Sequence, residues 1–409
     1  MRGRNGKSSL TKELAMAYQA LDFYDFDSLL EEEERAVRDE VRRWVDERFM
    51  PLVSDCFIEQ RFPLELAREL GEMNLFGATL TGYGCAGMNN RVYGLINREL
   101  ERGDSGLRSF LSVQSGLVMY PIWAYGSEDQ KQQWLPRLAA GTAIGCFGLT
   151  EPDHGSDPGG MITHAEDHGD HYLLNGAKMW ITNGSIADVA VVWARLGGSD
   201  GPVRGFLVEK GMPGFSAPLH KKKFSLCASI TSELVFDHVK LPKENILPGV
   251  SGLKGPLSCL NQARYGIAWG VIGAAQACYD EALQYQKERR QFGRPLASFQ
   301  LQQAKLAEMM TDITAAQGLA LQLAQLKDSG RITAAQISLA KRNNVFMALR
   351  TARAARTMLG ANGISLEYQC GRHMLNLESV YTYEGTHDIH TLVLGQAATG
   401  IAAYSNYSE

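Results

Sequence analysis

The residues best suited to chemistry lie near the C-terminus, in Thr382-Tyr383-Glu384-Gly385-Thr386-His387-Asp388-Ile389-His390. Glu384 sits between an aromatic and a glycine, where a helix ends or a loop begins. Tyr383 offers an apolar wall, and desolvation raises a carboxylate toward a useful general-base pKa. Gly385 lets the backbone approach a ligand closely. Taken alone, the triplet reads as a solvated glutamate in a surface loop, so other segments must decide.

Four further stretches carry weaker signals. Leu149-Thr150-Glu151-Pro152-Asp153-His154-Gly155-Ser156-Asp157 combines hydroxyls, a proline turn and a glycine. Such a loop can offer N–H groups and hydroxyls to a polar heterocycle or a phosphate, or be a plain turn. In Met179-Trp180-Ile181-Thr182-Asn183-Gly184, Trp180 could stack on a flat ring while Thr182 bonds its edge; a core tryptophan before a hairpin reads equally well. In Glu288-Arg289-Arg290-Gln291-Phe292-Gly293, Arg289 could grip a pyrophosphate bidentately, or simply favour the negative end of a helix. Leu359-Gly360-Ala361-Asn362-Gly363 reads as a helix C-cap and a turn.

The elements that must position these residues change character along the chain. Residues 1–25 read as a poorly defined tail. Leu29-Leu30, then Val37, Val41 and Val45 at spacings of four, predict a helix from Ser28 that Pro51 closes. Helical patterns follow at Pro63–Met73, Tyr93–Arg102, Ser109–Tyr125 and Gln130–Ala140, with a tight glycine-rich loop at Gly82–Gly87. From Gly145 to about Asn245 short β-branched and aromatic runs alternate with turn signals, which predicts a small antiparallel β domain. After Gly255, Cys259–Arg290, Phe299–Ser329 and Thr333–Leu359 predict helices long enough to pack as a bundle.

Composition bounds the function. The 409 residues allow two or three domains, and 45% hydrophobic with 21% charged residues is ordinary for a globular protein. A net charge of −4 gives no electrostatic pull toward nucleic acid or an anionic membrane, and no apolar run is long enough for a membrane span. The seven cysteines stand singly, without a C-x-x-C pair. That speaks against a disulfide framework or a metal site and for a reducing compartment. Met1–Lys12 lacks the apolar core of a secretory signal; a trimmed transit peptide or an expression remnant fits it.

Together, T-E-P-x-x-G-S-D, W-I-T-N, E-R-x-Q-F-G, L-G-x-N-G and Y-E-G-T occur in one order across about residues 30 to 405. In that order the chain resembles the acyl-CoA dehydrogenase family. The pattern E-R-x-D-S-G-x-R-S-x-x-S-V-Q-S, from Glu101 to Ser115, resembles the acyl-pocket helix of its glutaryl-CoA dehydrogenase branch. The resemblance implies an α+β fold: an N-terminal helical domain (26–144), a middle antiparallel β domain (145–255) and a C-terminal four-helix bundle (256–409). It implies a homotetramer with FAD between subunits. Phe147, Leu149, Thr150, Ser156, Trp180, Thr182, Arg289, Gln291, Phe292, Gly360, Thr386 and Asp388 would hold the flavin. Glu101, Arg108, Ser109, Ser112, Ser156, Arg264 and Tyr383 would line the acyl-CoA site.

By the same resemblance, Glu384 takes the α-proton and FAD accepts the β-hydride. The thioester oxygen rests on the Glu384 N–H and a ribityl hydroxyl, and electrons leave to an electron-transfer flavoprotein. Ala263 stands where some branches carry their base, which leaves Glu384 as the candidate. A glutaryl-CoA dehydrogenase then releases CO₂ to give crotonyl-CoA. An arginine at the far end of an acyl pocket can pair a distal carboxylate, with Ser112 as a second donor; alternatively Arg108 is an ion-pair partner of Asp104 or Glu101. Leu107, Cys227, Ala361 and Thr357 depart from common residues of the branch or the wider family. The rival expectations are a short-chain dehydrogenase or oxidase acting on a monocarboxylic acyl-CoA, and an inert relative serving as a binding module. The compartment expected is the cytoplasm of a bacterium or the mitochondrial matrix of a eukaryote.

Overall fold

A computed structural model describes residues 18, 20–198 and 200–403; the reading of Met1–Lys12 lies outside them. The described end of the expected tail is tied down. The Leu21 carbonyl accepts bonds from Gln276 and Gln317, 2.9 and 3.2 Å long.

The N-terminal domain is helical: α1 (Glu32–Trp44), α2 (Met50–Glu59), α3 (Ala67–Glu72), α4 (Asn90–Gly103), α5 (Ser105–Ser112), α6 (Tyr120–Tyr125) and α7 (Glu128–Ala139). Strands β1 (Thr81–Gly82) and β2 (Cys85–Ala86) form the glycine-rich hairpin between α3 and α4. Pro51 does not close the first helix as expected. A π turn at Val45–Phe49 hands the chain on to α2, and Pro51 falls in the first turn of α2, where its missing N–H costs little. A second π turn, Val113–Met119, joins α5 to α6 in the same way ahead of Pro121.

The middle domain is a seven-stranded sheet of β3 (Gly145–Gly148), β4 (His164–Asp167), β5 (His171–Thr182), β6 (Val189–Leu196), β7 (Val203–Glu209), β8 (Phe215–Ser216) and β9 (Thr231–Pro242). It is mainly antiparallel, as expected, with two parallel pairings. β3 and β4 share one edge of β6, running parallel to it, while β7 takes the other edge antiparallel. Turn signals mark where strands end, but not which strands pair across the long 149–163 connection.

The C-terminal domain contains α8 (Lys254–Glu288), the β10–β11 hairpin (Arg290–Gln291, Arg294–Pro295), α9 (Gln300–Asp328), α10 (Ala334–Met358), α11 (Cys370–Thr382) and α12 (His387–Thr399). α8 packs closely on α4 because glycines face the contact. A methyl group on Gly94 would overlap the Trp269 ring, one on Gly270 the Glu101 carboxylate, and one on Gly273 the Arg98 carbonyl. Asp104 ties α4, α5 and α11 together. It caps α5 at the Gly106 N–H (2.6 Å) and accepts Arg372 (2.5 Å) and Asn376 (2.8 Å) from α11. No helix among the described residues is long and apolar enough to cross a membrane.

Candidate active site

Glu384 lies in the short link between α11 and α12, and its backbone is left-handed (φ 53°), as is that of Gly385 (φ 86°). For a residue with a Cβ this conformation costs on the order of 1–2 kcal/mol, so neighbours must hold it. They do so through three successive carbonyls. Lys341 Nζ, on α10, donates to Tyr383 O (2.9 Å) and Gly385 O (2.8 Å), and Arg264 Nε, on α8, donates to Glu384 O (2.8 Å). Among the described residues the Glu384 N–H makes no hydrogen bond, which leaves it available to an acceptor.

The Glu384 residue is half-buried, but its Oε2 is shut off from solvent and has no partner in the described chain. Burial pushes the carboxyl above its ordinary range, while Arg108, Arg264 and Lys341 pull it back. Lys341 is buried, and its ammonium is pushed down to about 7 by that burial, with Glu384 opposing the shift. Below the link, the His390 imidazole is held at about 3 by burial and stays neutral.

Arg108 and Ser109, on α5, reach the same place. Arg108 is buried; its Nε meets the buried Glu101 carboxylate at 2.8 Å, and its NH2 contacts the Tyr383 hydroxyl. Ser109 Oγ lies 3.3 Å from that hydroxyl. Despite the cost of burial, Glu101 and Tyr383 hold the guanidinium above its ordinary pKa, so it stays charged. Of the two anions expected as counter-ions, Glu101 is the partner; Asp104 is spent on Arg372 and Asn376. Ser112 Oγ, Tyr93 OH and Asn97 Oδ1 are buried without partners in the described chain. Tyr93, Asn97 and Glu101 share one face of α4, spaced by four residues.

The expected flavin residues fall in two places. The Thr150 carbonyl accepts the Met179 N–H at 2.9 Å, which seats Thr150 against β5 next to Trp180, and Thr182 lies two residues further along that strand. Trp180 is 57% exposed and left-handed (φ 64°), at a register break of β5 against β9, and its edge meets the His220 ring. A bulky strand residue held in that conformation and presented outward is a ready platform for a flat ring. Ser156 is exposed on the adjoining loop, while the Phe147 and Leu149 side chains belong to the core.

Arg289, Gln291 and Phe292 (92% exposed) stand on and beside the β10–β11 hairpin, and Gly360 (φ 61°) is also exposed. Among the described residues, no hydrogen bond or ion pair joins any of these four to the Glu384 link. Thr386 caps α12 through the Ile389 N–H (3.1 Å), and Asp388 is exposed in the first turn of that helix.

Three supporting groups escaped the sequence reading. Lys341 gives no local sign of its task. Glu151 and Lys178 form a buried ion pair at 2.7 Å; Glu151 also accepts the Ile162 and Thr163 N–H groups, which fixes the 150–157 loop. Here a signal existed. Lys178 falls in the buried phase set by Tyr172 and Leu174, and a lysine there calls for a buried acid. Tyr93 and Asn97 read only as helix-face residues.

Residues 31–142, 146–239 and 251–399 match, respectively, the N-terminal, middle and C-terminal domains of acyl-CoA dehydrogenase. A glutaryl-CoA dehydrogenase from Mycobacterium smegmatis, solved in complex with FADH2, is 51% identical; the match covers 94% of this chain and 99% of that one, with a TM-score of 0.92. A glutaryl-CoA dehydrogenase of Desulfococcus multivorans is 37% identical over 383 residues, 91% of this chain and 98% of its own. A short-chain-specific acyl-CoA dehydrogenase of Megasphaera elsdenii is 36% identical over 360 residues, 86% of this chain and 94% of its own. The outward Trp180 platform and the orphaned Glu384 carboxylate fit a flavin and an acyl thioester. Matched in all three domains and nearly end to end by its relatives, the chain belongs to the acyl-CoA dehydrogenase family and is an FAD-dependent oxidoreductase.

Proposed function

We propose that the substrate is glutaryl-CoA, oxidised and decarboxylated to crotonyl-CoA and CO₂. The observation that carries this is the charge around Glu384. Three buried or half-buried cations, Arg108, Arg264 and Lys341, face two carboxylates, Glu384 and Glu101. With the Lys341 ammonium protonated, as it is below about pH 7, one positive charge is left over, and a distal substrate carboxylate neutralises it. Arg108 uses Nε on Glu101 and one terminal nitrogen on Tyr383, so further N–H donors remain for that carboxylate; Ser112, one turn along α5, carries a buried hydroxyl near Tyr93.

Glu384 removes the α-proton, and its own N–H receives the thioester oxygen as negative charge builds there. Bound FAD, held by Trp180, Thr150 and Thr182, supplies the acceptor for the β-hydride. Glu384 then carries the proton while Arg108 orients the γ-carboxylate. Once CO₂ has left, Glu384 returns that proton to the γ-carbon. Electrons pass on to an electron-transfer flavoprotein. The exposed Arg289, Gln291 and Phe292 serve the flavin of a neighbouring subunit in a homotetramer.

The similarity to short-chain enzymes, together with Leu107 and Cys227, supports a second reading: a monocarboxylic short-chain acyl-CoA. Arg108→Leu separates the two. Losing a buried charge-assisted contact costs about 2–5 kcal/mol, so kcat/KM for glutaryl-CoA should fall roughly 30- to several-thousand-fold. Turnover of butyryl-CoA in the same variant should stay equal or improve. Equal losses on both substrates, or a wild-type preference for butyryl-CoA, establish the short-chain reading instead.

A further inference from the structure

Two cations brace the link that carries Glu384, and only Arg264 was expected near the site. Lys341 is buried on α10, and it spends two of its three N–H donors on the carbonyls that flank Glu384, those of Tyr383 and Gly385. Arg264 takes the carbonyl between them. All three carbonyls are therefore turned toward α8 and α10, across two consecutive left-handed residues. The Glu384 N–H forms no bond among the described residues, and its Oε2 is unpaired. A neutral side chain at 341 could not bond both flanking carbonyls from one atom with the strength of an ammonium.

We propose that Lys341 is the positioning residue for the base: its amino group, bonded to both flanking carbonyls, holds the Glu384 link in its left-handed form, and when protonated its charge favours the carboxylate over the acid. The inference rests on Glu384 being the base. Lys341 touches only backbone, so its loss falls on the chemical step and not on substrate affinity. Other charged or titratable groups facing the link are Arg108 and Tyr93 from the N-terminal domain, Arg264 from α8, Tyr383 at the end of α11, and His387 and His390 from α12. Both histidines are shifted toward the neutral form by burial, so they do not replace the lysine's charge.

The test compares Lys341→Met, Lys341→Gln and Lys341→Arg as flavin-loaded enzymes, reading flavin reduction by acyl-CoA across pH. A base displaced by about 1 Å costs on the order of 100-fold. Lys341→Met should lower the reduction rate about 10- to 100-fold with KM within a few-fold, Lys341→Gln should lie between, and Lys341→Arg should retain most of the rate. The acid limb should move to higher pH in Met and Gln but not in Arg, because a neighbouring cation favours the ionised carboxylate. If Lys341→Met does not hold flavin, the Gln–Arg contrast decides. Flavin-loaded variants with a wild-type rate and acid limb, or losses confined to KM, overturn the inference. Glu384→Gln is run alongside: if it still reduces flavin, the base assignment fails, whereas its inactivity beside unaffected Lys341 variants overturns the positioning role alone.

Discussion

At the scale of single residues, Glu384 concentrates the chemistry. Burial raises its carboxyl above the ordinary glutamate range, toward what a general base needs, while Arg108, Arg264 and Lys341 oppose the shift. Glu384→Gln keeps the shape and loses the proton acceptor. It should bind flavin and acyl-CoA yet reduce flavin at least about 10²–10⁴-fold more slowly, as stopped-flow absorbance would read. The pH profile follows from the same carboxyl. Burial raises its pKa, so the protonated and inactive form persists to higher pH than for an ordinary glutamate at about 4.3. Activity should be present above that raised pKa and fall as pH drops through it. An acid limb at or below the ordinary value would contradict the burial argument.

At the scale of elements, the decisive contact is α4 against α8. Glycines at 266, 270 and 273 let the helices approach until polar groups of α4 are enclosed, and Gly270 lies directly against the Glu101 carboxylate. Gly270→Ala gains helix propensity of up to about 1 kcal/mol, but overpacking typically costs about 1–3 kcal/mol. The net expectation is a lower melting temperature. The added methyl also pushes Glu101 from Arg108, so turnover of glutaryl-CoA should fall more than turnover of butyryl-CoA. The two π turns lie at the ends of helical runs that would otherwise meet Pro51 and Pro121, and they let each run continue.

At the scale of the whole molecule, the proposed flavin residues divide between the middle domain's sheet and a hairpin of the C-terminal domain. Trp180 and Thr182 stand at the end of β5, where Thr150 is bonded to Met179, whereas Phe292 stands 92% exposed on a tight turn. So exposed an aromatic, beside Arg289 and Gln291, supports the proposal that this hairpin meets another copy of the chain. Light scattering should therefore give four times the chain mass of 45.0 kDa. Phe292→Asp should weaken flavin retention while leaving the subunit folded. A monomer that retains flavin fully would remove the role of the hairpin.

Much of this was legible in the sequence because it is local or ordered. Periodicity showed three successive domains, and five short motifs in family order pointed to the flavin and to Glu384. Local patterns carry this because helix and strand faces repeat over a few residues and a loop motif is self-contained. Only the tertiary structure decided partnerships. Asp104 and Glu101 both lie within reach of Arg108 along the chain, yet Asp104 turns to Arg372 and Asn376 on α11, and Glu101 takes the arginine. Lys341 is 44 residues from Gly385 and gives no sign of its task until α10 packs beneath the link. The parallel pairings of β6 depend in the same way on how a long connection crosses the sheet. Sequence patterns tell which side of an element is buried. Which distant charge meets it there is settled by the packing of faces, because an unpaired buried charge costs more than the fold can spare.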